Sequence, residues 1–290
     1  ILLLAAGIAL AYQARDRRDW RGAALLGALF GLAALTKAFV LLMLPLLALW
    51  WWRQIGLRAA VRLALAAGVA AALVLAPWMI RNIRLHDAFV LISTNGGSNL
   101  HQGNNPCVAD YLARGWDAQW VNCIELAPDT LTEVESDRWH RQQALDYLRE
   151  NPGDWPRLFW TKLWVLWSPA IMPYDLPPDP YLIDDAVLQY HSTAFEAARV
   201  VHLATFGPLL LLGVAGLWSA WRRGLSIGPL VIVFVTITAT YLIFHPSTRY
   251  RSPADPFVFI LSAYAVTSLW DRIKTRRAER RTVPREAPYG

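Results

Sequence analysis

Between Ala23 and Trp52 run thirty residues whose only strongly polar interruption is Thr36-Lys37. Apolar surroundings offer the peptide group no water, so a run of this kind must satisfy its backbone internally, as helix. Further apolar runs occupy 1–12, 61–80, 200–221, 225–244 and 256–270, with Arg-rich stretches between several of them. Charged residues make up only 17% of the 290 and apolar ones 55%, against about 25% charge in an ordinary soluble domain. That balance excludes a cytosolic globular protein and a disordered chain alike. Fifteen Trp fit the same reading, because Trp collects at bilayer interfaces. The expected fold class is mainly α, a polytopic membrane helix bundle. The chain starts at Ile1 inside an apolar stretch with no Met or basic region before it. A signal peptide would show a basic start and a cleavage site, so the sequence reads as one whose N-terminal part is missing.

A bilayer core of about 30 Å takes roughly 20 apolar residues of helix, fewer where the bilayer thins. The candidate spans are 1–12, 22–36, 38–52, 61–80, 200–221, 225–244 and 256–270. The run from 23 to 52 is either one overlong helix or two short ones meeting at Lys37, and charge decides between them. With seven spans, Arg15/Arg17/Arg18/Arg21, Arg53/Arg58/Arg62, Arg222/Arg223 and the tail from Arg272 to Arg285 fall on one side, the expected cytoplasmic face. That side carries 16 Lys and Arg against 5 Asp and Glu, net +11; the remainder carries 12 against 17, net −5. The basic balance is thus a topology signal, and no nucleic-acid partner is expected.

Four parts follow: spans over 1–80, an extracytoplasmic loop domain over 81–199, spans over 200–270, and a basic cytoplasmic tail over 271–290. In the loop domain, 130–150 reads as a helix capped by Asp129 or Thr130 and stopped at Asn151-Pro152-Gly153. Residues 157–170 place Trp160, Trp164 and Trp167 at i, i+4, i+7 with Lys162 off that stripe, which predicts an amphipathic helix in the interface plane. Residues 171–192 are Pro-rich and expected to be irregular. Both cysteines, Cys107 and Cys123, fall in this part. In an oxidising compartment they are expected to pair, closing a loop worth about 3 kcal/mol; the alternative is two buried small hydrophobic residues. Their spacing is not that of a zinc site.

Dinucleotide, phosphate-loop, zinc-protease and nucleophile-elbow motifs are absent from the sequence. What remains is a set of polar residues at the outer ends of the spans: Lys37, Arg81-Asn82, Arg84, His245 and Arg249-Tyr250-Arg251. Cations there run against the charge bias. They suit an anion site at the membrane surface, holding a phosphate or diphosphate attached to a lipid; alternatively they reach to headgroups or pair with Asp87 and Asp255. Lys37 weighs toward the first reading, because a charge interrupting an apolar run is costly. The stretch Ser93 to Pro106 (STNGGSNLHQGNNP) carries amides, hydroxyls and glycines suited to sugar hydroxyls, and a bland turn-rich loop would look the same.

The runs GALFGLAALTKAFVLLMLPLLALWWW, APWMIRNIRLHDAFVLISTNGGSNLHQGNNP and RYRSPADPFVFILSAYAV resemble bacterial polytopic glycosyltransferases of the GT-C fold. The nearest resemblance is to glycosyltransferase family 39, relatives of the dolichyl-phosphate-mannose protein mannosyltransferases and of the aminoarabinose transferase that modifies lipid A. The Pro-Trp-x-x-Arg-Asn, Ser-Thr-Asn-Gly-Gly and Arg-Tyr-x-x-Pro elements carry it, over most of the chain. The resemblance implies a polyprenyl-phosphate-linked sugar donor, a lipid, glycan or protein acceptor, an active site on the extracytoplasmic face of the bacterial inner membrane, and inversion at the anomeric carbon. It implies no nucleotide at the site, and no cofactor is expected; His and acidic residues show no diagnostic metal spacing.

In such enzymes an aspartate in the first outer loop acts as base. That loop is expected upstream of residue 1, so no base is assigned. The phosphate-binding candidates are Lys37, Arg249 and Arg251, then Arg81, with Tyr250 orienting an oxygen or stacking on the sugar. Asn95, Asn99, His101 and Asn105 are candidates for donor or acceptor sugar. The rival readings are a transporter or flippase for a lipid-linked anion, which needs charges near the bilayer midplane, and a non-catalytic membrane assembly subunit.

Overall fold

The computed structural model describes residues 1–118, 125–176 and 192–282, with side chains to residue 275. Among the described residues there are eleven α-helices and no strand. Helices α1 (Leu2–Arg17), α2 (Trp20–Ala34), α3 (Met43–Ile55) and α4 (Leu57–His86) come first. Then follow α5 (Gly96–Gly103), α6 (Val108–Arg114), α7 (Glu133–Glu150) and α8 (Trp155–Trp167), and last α9 (Thr193–Arg222), α10 (Gly228–Ile243) and α11 (Asp255–Thr282). The stretches 38–55, 57–86 and 193–222 are long and apolar enough to cross a membrane; α2 and α10 are apolar but shorter.

The thirty-residue apolar run is broken at Lys37. The Thr36 hydroxyl and the Lys37 N–H both donate to the Ala33 carbonyl, at 2.7 and 2.8 Å, as the last bonds of the helix. Lys37 then adopts extended backbone (φ −145°, ψ 97°) before a 3-10 turn over Ala38–Leu42 leads into α3. The run therefore makes two helices with the cation at their junction.

Packing relies on small residues. Gly27 and Gly31, four apart on α2, lie against the backbone of Ala67 and against Ala71 and Val74 of α4, and a Cβ at Gly27 would fall on the Ala67 carbonyl. This close approach is the small-xxx-small mode of helix association in apolar media. Parallel helices α9 and α11 repeat it, with Gly216 on the Leu261 backbone and Gly213 against Val258, and Ser262 Oγ donates to the Leu209 carbonyl at 2.6 Å. The buried Trp51 indole is satisfied by the Ala11 carbonyl at 3.1 Å. Outward, Leu57, Val61, Leu65, Val69 and Leu73 form an exposed row along α4. A continuous aliphatic stripe is a liability in water and suits hydrocarbon.

Residues 93–106 differ from the loop expected of them, because 96–103 fold as α5. Their glycines serve packing: a Cβ at Gly97 would meet the Asp137 backbone on α7, and one at Gly103 the backbone of Phe244. Asp137 accepts from the Gly97 N–H at 2.5 Å and pairs with Arg141 at 2.7 Å. Helix α7 starts later than expected, capped by Thr132 in a reciprocal box with Glu135, a Thr-x-x-Glu signature present in the sequence. Helix α8 exposes Trp160 and Trp164 (65% and 63%), whereas Trp167 leaves that stripe and donates to Thr238 Oγ1 at 3.0 Å. Of the proposed disulfide, Cys107 stands at the start of α6 and Cys123 lies outside the described residues; so do residues 177–191 of the Pro-rich segment.

Gly27→Leu is expected to destabilise the protein by more than about 3 kcal/mol, beyond ordinary overpacking, since the obstruction is backbone. Gly68→Ala on the same helix pair, where a Cβ meets nothing within 4 Å, is expected to be neutral or to gain up to about 1 kcal/mol. Thermal unfolding in detergent distinguishes the two.

Candidate functional site

Two buried cations fix the C-terminal end of α10 and the turn that follows it. Lys162 of α8 is 1% exposed. Its ammonium donates to the Leu242 and Ile243 carbonyls at 2.9 and 3.4 Å and to Asn104 Oδ1 at 2.9 Å. Asn104 in turn donates to the Ile243 carbonyl at 2.8 Å. The last carbonyls of a helix lack intrahelical partners and carry its negative dipole end, so a cation there is doubly suited. Reciprocally, Arg251, in the 3-10 turn Thr248–Arg251 beyond α10, donates to the Leu166 carbonyl at 3.3 Å and to that of Ser168, at the end of α8. It also contacts His202 Nε2 at 3.0 Å and Asp255 at 3.6 Å, and lies over the Phe206 ring. Each element thus caps the other.

This clasp presents His245 and Tyr250 to a cavity of about 680 Å³, with Arg249 held beside it by its bond to the Tyr250 hydroxyl. The junction after α2 contributes Lys37, α4 contributes Trp78, the segment after α4 contributes Ser93 and Asn95, α5 contributes Asn99, and α10 contributes Tyr241. Tyr250 is the centre. Its ring stacks on Tyr241 (centroids 4.7 Å apart, planes 4° off parallel), and Lys37 Nζ stands 5.0 Å from its centroid. Its hydroxyl accepts from Arg249 at 2.9 Å and lies 3.1 Å from His245 Nε2. Cations over an aromatic face are stabilised by its quadrupole, so the ring holds two positive groups close together. Burial, and then the Arg249 charge, push the Lys37 ammonium below its ordinary range. Burial also drives the His245 imidazole down to about 4 against the opposing field of Asp117, leaving it neutral at neutral pH.

The remaining candidates lie elsewhere. Arg81 is exposed, donates to Asn82 Oδ1 at 3.0 Å and packs its guanidinium 4.8 Å from the Trp78 ring, behind one wall of the cavity. The Pro-Trp-x-x-Arg-Asn element works structurally: Trp78 Nε1 and Asn82 Nδ2 both donate to the Ile92 carbonyl, at 2.8 and 3.2 Å, folding 90–92 over the end of α4. Arg251, fully buried in the clasp, does not line the cavity. His101 faces away, its Nδ1 3.0 Å from His140 Nδ1, with burial first and the His140 field second pushing it down to about 4. Asn105 accepts from the Cys107 and Val108 N–H groups and donates to the His101 and Gln102 carbonyls, joining α5 to α6. Of the nine ligand candidates, Lys37, Tyr250, Asn95 and Asn99 line the cavity and Arg249 borders it through Tyr250. Sequence reasoning did not place Tyr241, Trp78, Lys162 or Asn104 in the site; Trp78 had its motif as a signal, and Lys162 its position among the apolar residues of α8.

No group of three or more His, Cys, Asp or Glu suited to a metal occurs among the described residues. No family model, curated protein or solved structure matches the chain.

The clasp has a pH signature. Burial lowers Lys162 from 10.5 to about 7. Between those values the unfolded chain holds a proton that the folded one has released, so this group's contribution to stability rises with pH from about 7 to 10.5. The thermal midpoint of the parent is therefore expected to climb across that window relative to Lys162→Met. Parallel pH curves would contradict the buried environment of Lys162.

Proposed function

We propose that this chain belongs to a multi-pass membrane glycosyltransferase that moves a sugar from a polyprenyl-phosphate donor to an extracytoplasmic acceptor. The observation that carries the reading is the mixed character of one cavity. Its floor gathers Lys37, Tyr250, His245 and, through Tyr250, Arg249, while its rim includes the exposed apolar side chains Leu35, Leu42, Leu91 and Trp78. A cationic floor with an apolar, outward-facing rim suits an anionic headgroup whose hydrocarbon tail lies in the bilayer. In this reading the chain crosses a bacterial inner membrane seven times with its Arg-rich ends in the cytoplasm, so that the cavity opens at the extracytoplasmic surface.

In this reading the acceptor hydroxyl attacks the anomeric carbon from the side opposite the phosphate and gives up its proton to solvent, and the polyprenyl phosphate leaves with the electron pair of the broken C–O bond. Negative charge grows on the phosphate as it leaves. Lys37 and Arg249, already in place, therefore stabilise the transition state more than the ground state. Tyr250 holds both cations, and Asn95 and Asn99 are at hand for sugar hydroxyls. A transporter or flippase would need charges near the middle of the spans; here the cations of the cavity belong to helix ends and turns.

Binding of a long-chain polyprenyl phosphate to the full-length protein in detergent tests the reading, with the unphosphorylated polyprenol as control. Lys37→Ala and Arg249→Ala are each expected to weaken phosphate binding by about tenfold or more, the scale of a charged hydrogen bond, with no effect on the polyprenol. Arg251→Ala is expected to lower the thermal midpoint instead. Equal binding by parent, Lys37→Ala and Arg249→Ala would overturn the assignment.

A further inference from the structure

A second cavity, of about 160 Å³, is lined by Arg249, whose neighbour Tyr250 lines the first. Three loop segments and the start of α9 frame it. Residues 171–175 run between 115–117 and 247–249 and are bonded to both. The Tyr174 and Asp175 N–H groups donate to the Gly115 carbonyl at 2.8 and 3.1 Å, and the Asp117 N–H donates to the Asp175 carbonyl at 2.9 Å. On the other side the Thr248 N–H and hydroxyl donate to the Met172 carbonyl at 2.8 and 2.9 Å, while the Met172 N–H donates back to Thr248 Oγ1 at 3.1 Å. The walls are therefore held by backbone pairing, and the Ser247 and Thr248 hydroxyls are committed to Met172. Facing the space are one carboxylate, Asp117, one guanidinium, Arg249, and the apolar surfaces of Ile171, Pro173 and Phe195.

A carboxylate accepts hydrogen bonds and a guanidinium donates them, so the two together match hydroxyl groups, which do both, and charge assistance strengthens each bond. An aromatic face beside them suits the C–H surface of a pyranose ring. The volume of about 160 Å³ admits one such ring. Arg249 ties the two cavities together, since its guanidinium also bonds the Tyr250 hydroxyl at 2.9 Å. Asp117 and Arg249 also both act electrostatically on His245, in opposite directions, which sets the small cavity beside the floor of the large one.

We infer that the smaller cavity is the acceptor subsite, taking a hydroxyl-bearing sugar ring that Asp117 and Arg249 hold by its hydroxyls beside the donor phosphate. The assignment of this ring as acceptor rests on the proposed donor reading; the sugar site itself does not.

Saturation-transfer NMR on the full-length protein in detergent tests it, with methyl α-mannoside, methyl β-glucoside and methyl β-galactoside as probes. At least one is expected to receive saturation from the parent. Asp117→Asn, which removes the charge, and Ile171→Trp, which fills the space, are each expected to weaken that binding by about tenfold or more. Both variants are expected to bind polyprenyl phosphate like the parent, and Lys37→Ala to keep the sugar while losing the phosphate. Silence of all three probes on the parent, or parent-like sugar binding by both variants, overturns the subsite. Loss of polyprenyl phosphate together with sugar in Asp117→Asn assigns Asp117 to the donor cavity and equally overturns it. Failure of the parent to bind polyprenyl phosphate while sugar binding follows Asp117 defeats the donor reading alone.

Discussion

Two helix ends, each capped by a cation borrowed from the other's neighbourhood, hold the cavity region of this protein together. A helix that stops near an apolar medium leaves carbonyls that water cannot reach, and every such group costs free energy until a donor is found. Lys162 supplies donors to the end of α10, and Arg251 supplies them to the end of α8. Because Arg251 belongs to the turn that carries Arg249 and Tyr250, the same pair of contacts that satisfies two helices also places the cavity floor. Asn104 extends the clasp to α5, which brings Asn99 to the cavity wall.

The cavity depends on a second economy of the same kind. Lys37 sits where a thirty-residue apolar run breaks, and Tyr250 receives it together with Arg249. Burial first, and then repulsion from the nearby Arg249, make Lys37 hold its proton less firmly than an ordinary lysine. An anion placed between them relieves that repulsion. A stacked Tyr241–Tyr250 pair beneath gives the arrangement stiffness, and preorganised charge is what makes electrostatic stabilisation effective.

How much of this was legible in the sequence depended on whether the signal was local. The apolar segments and their break at Lys37 were readable, since hydropathy and one misplaced cation are properties of contiguous residues. Lys37, Arg249 and Tyr250 could be grouped by depth alone, because cations at outer span ends oppose the charge bias. Arg251 shows the limit: it is two residues from Arg249 and looks the same in the sequence, yet a tight 3-10 turn sends one outward and buries the other. Lys162 was readable as an anomaly but not as a cap, since its acceptors are some 80 residues away. In residues 93–106, Gly and Asn suggested a loop, whereas Gly97 and Gly103 are there to let helices touch, and composition does not separate those two uses of glycine. The Thr132–Glu135 box was present and local, and the Asp129-Thr130 pair just before it drew the helix start three residues too early.

The central claim is that the Tyr250 platform with its two cations receives a lipid-borne phosphate. The most direct measurement is an electron cryomicroscopy structure of the full-length protein with a polyprenyl phosphate. Phosphate density between Lys37 and Arg249, with the chain leaving over Leu35, Leu42 and Leu91, is the predicted result. A headgroup bound at Arg81 or Arg84, with the Tyr250 cavity empty, would contradict the account.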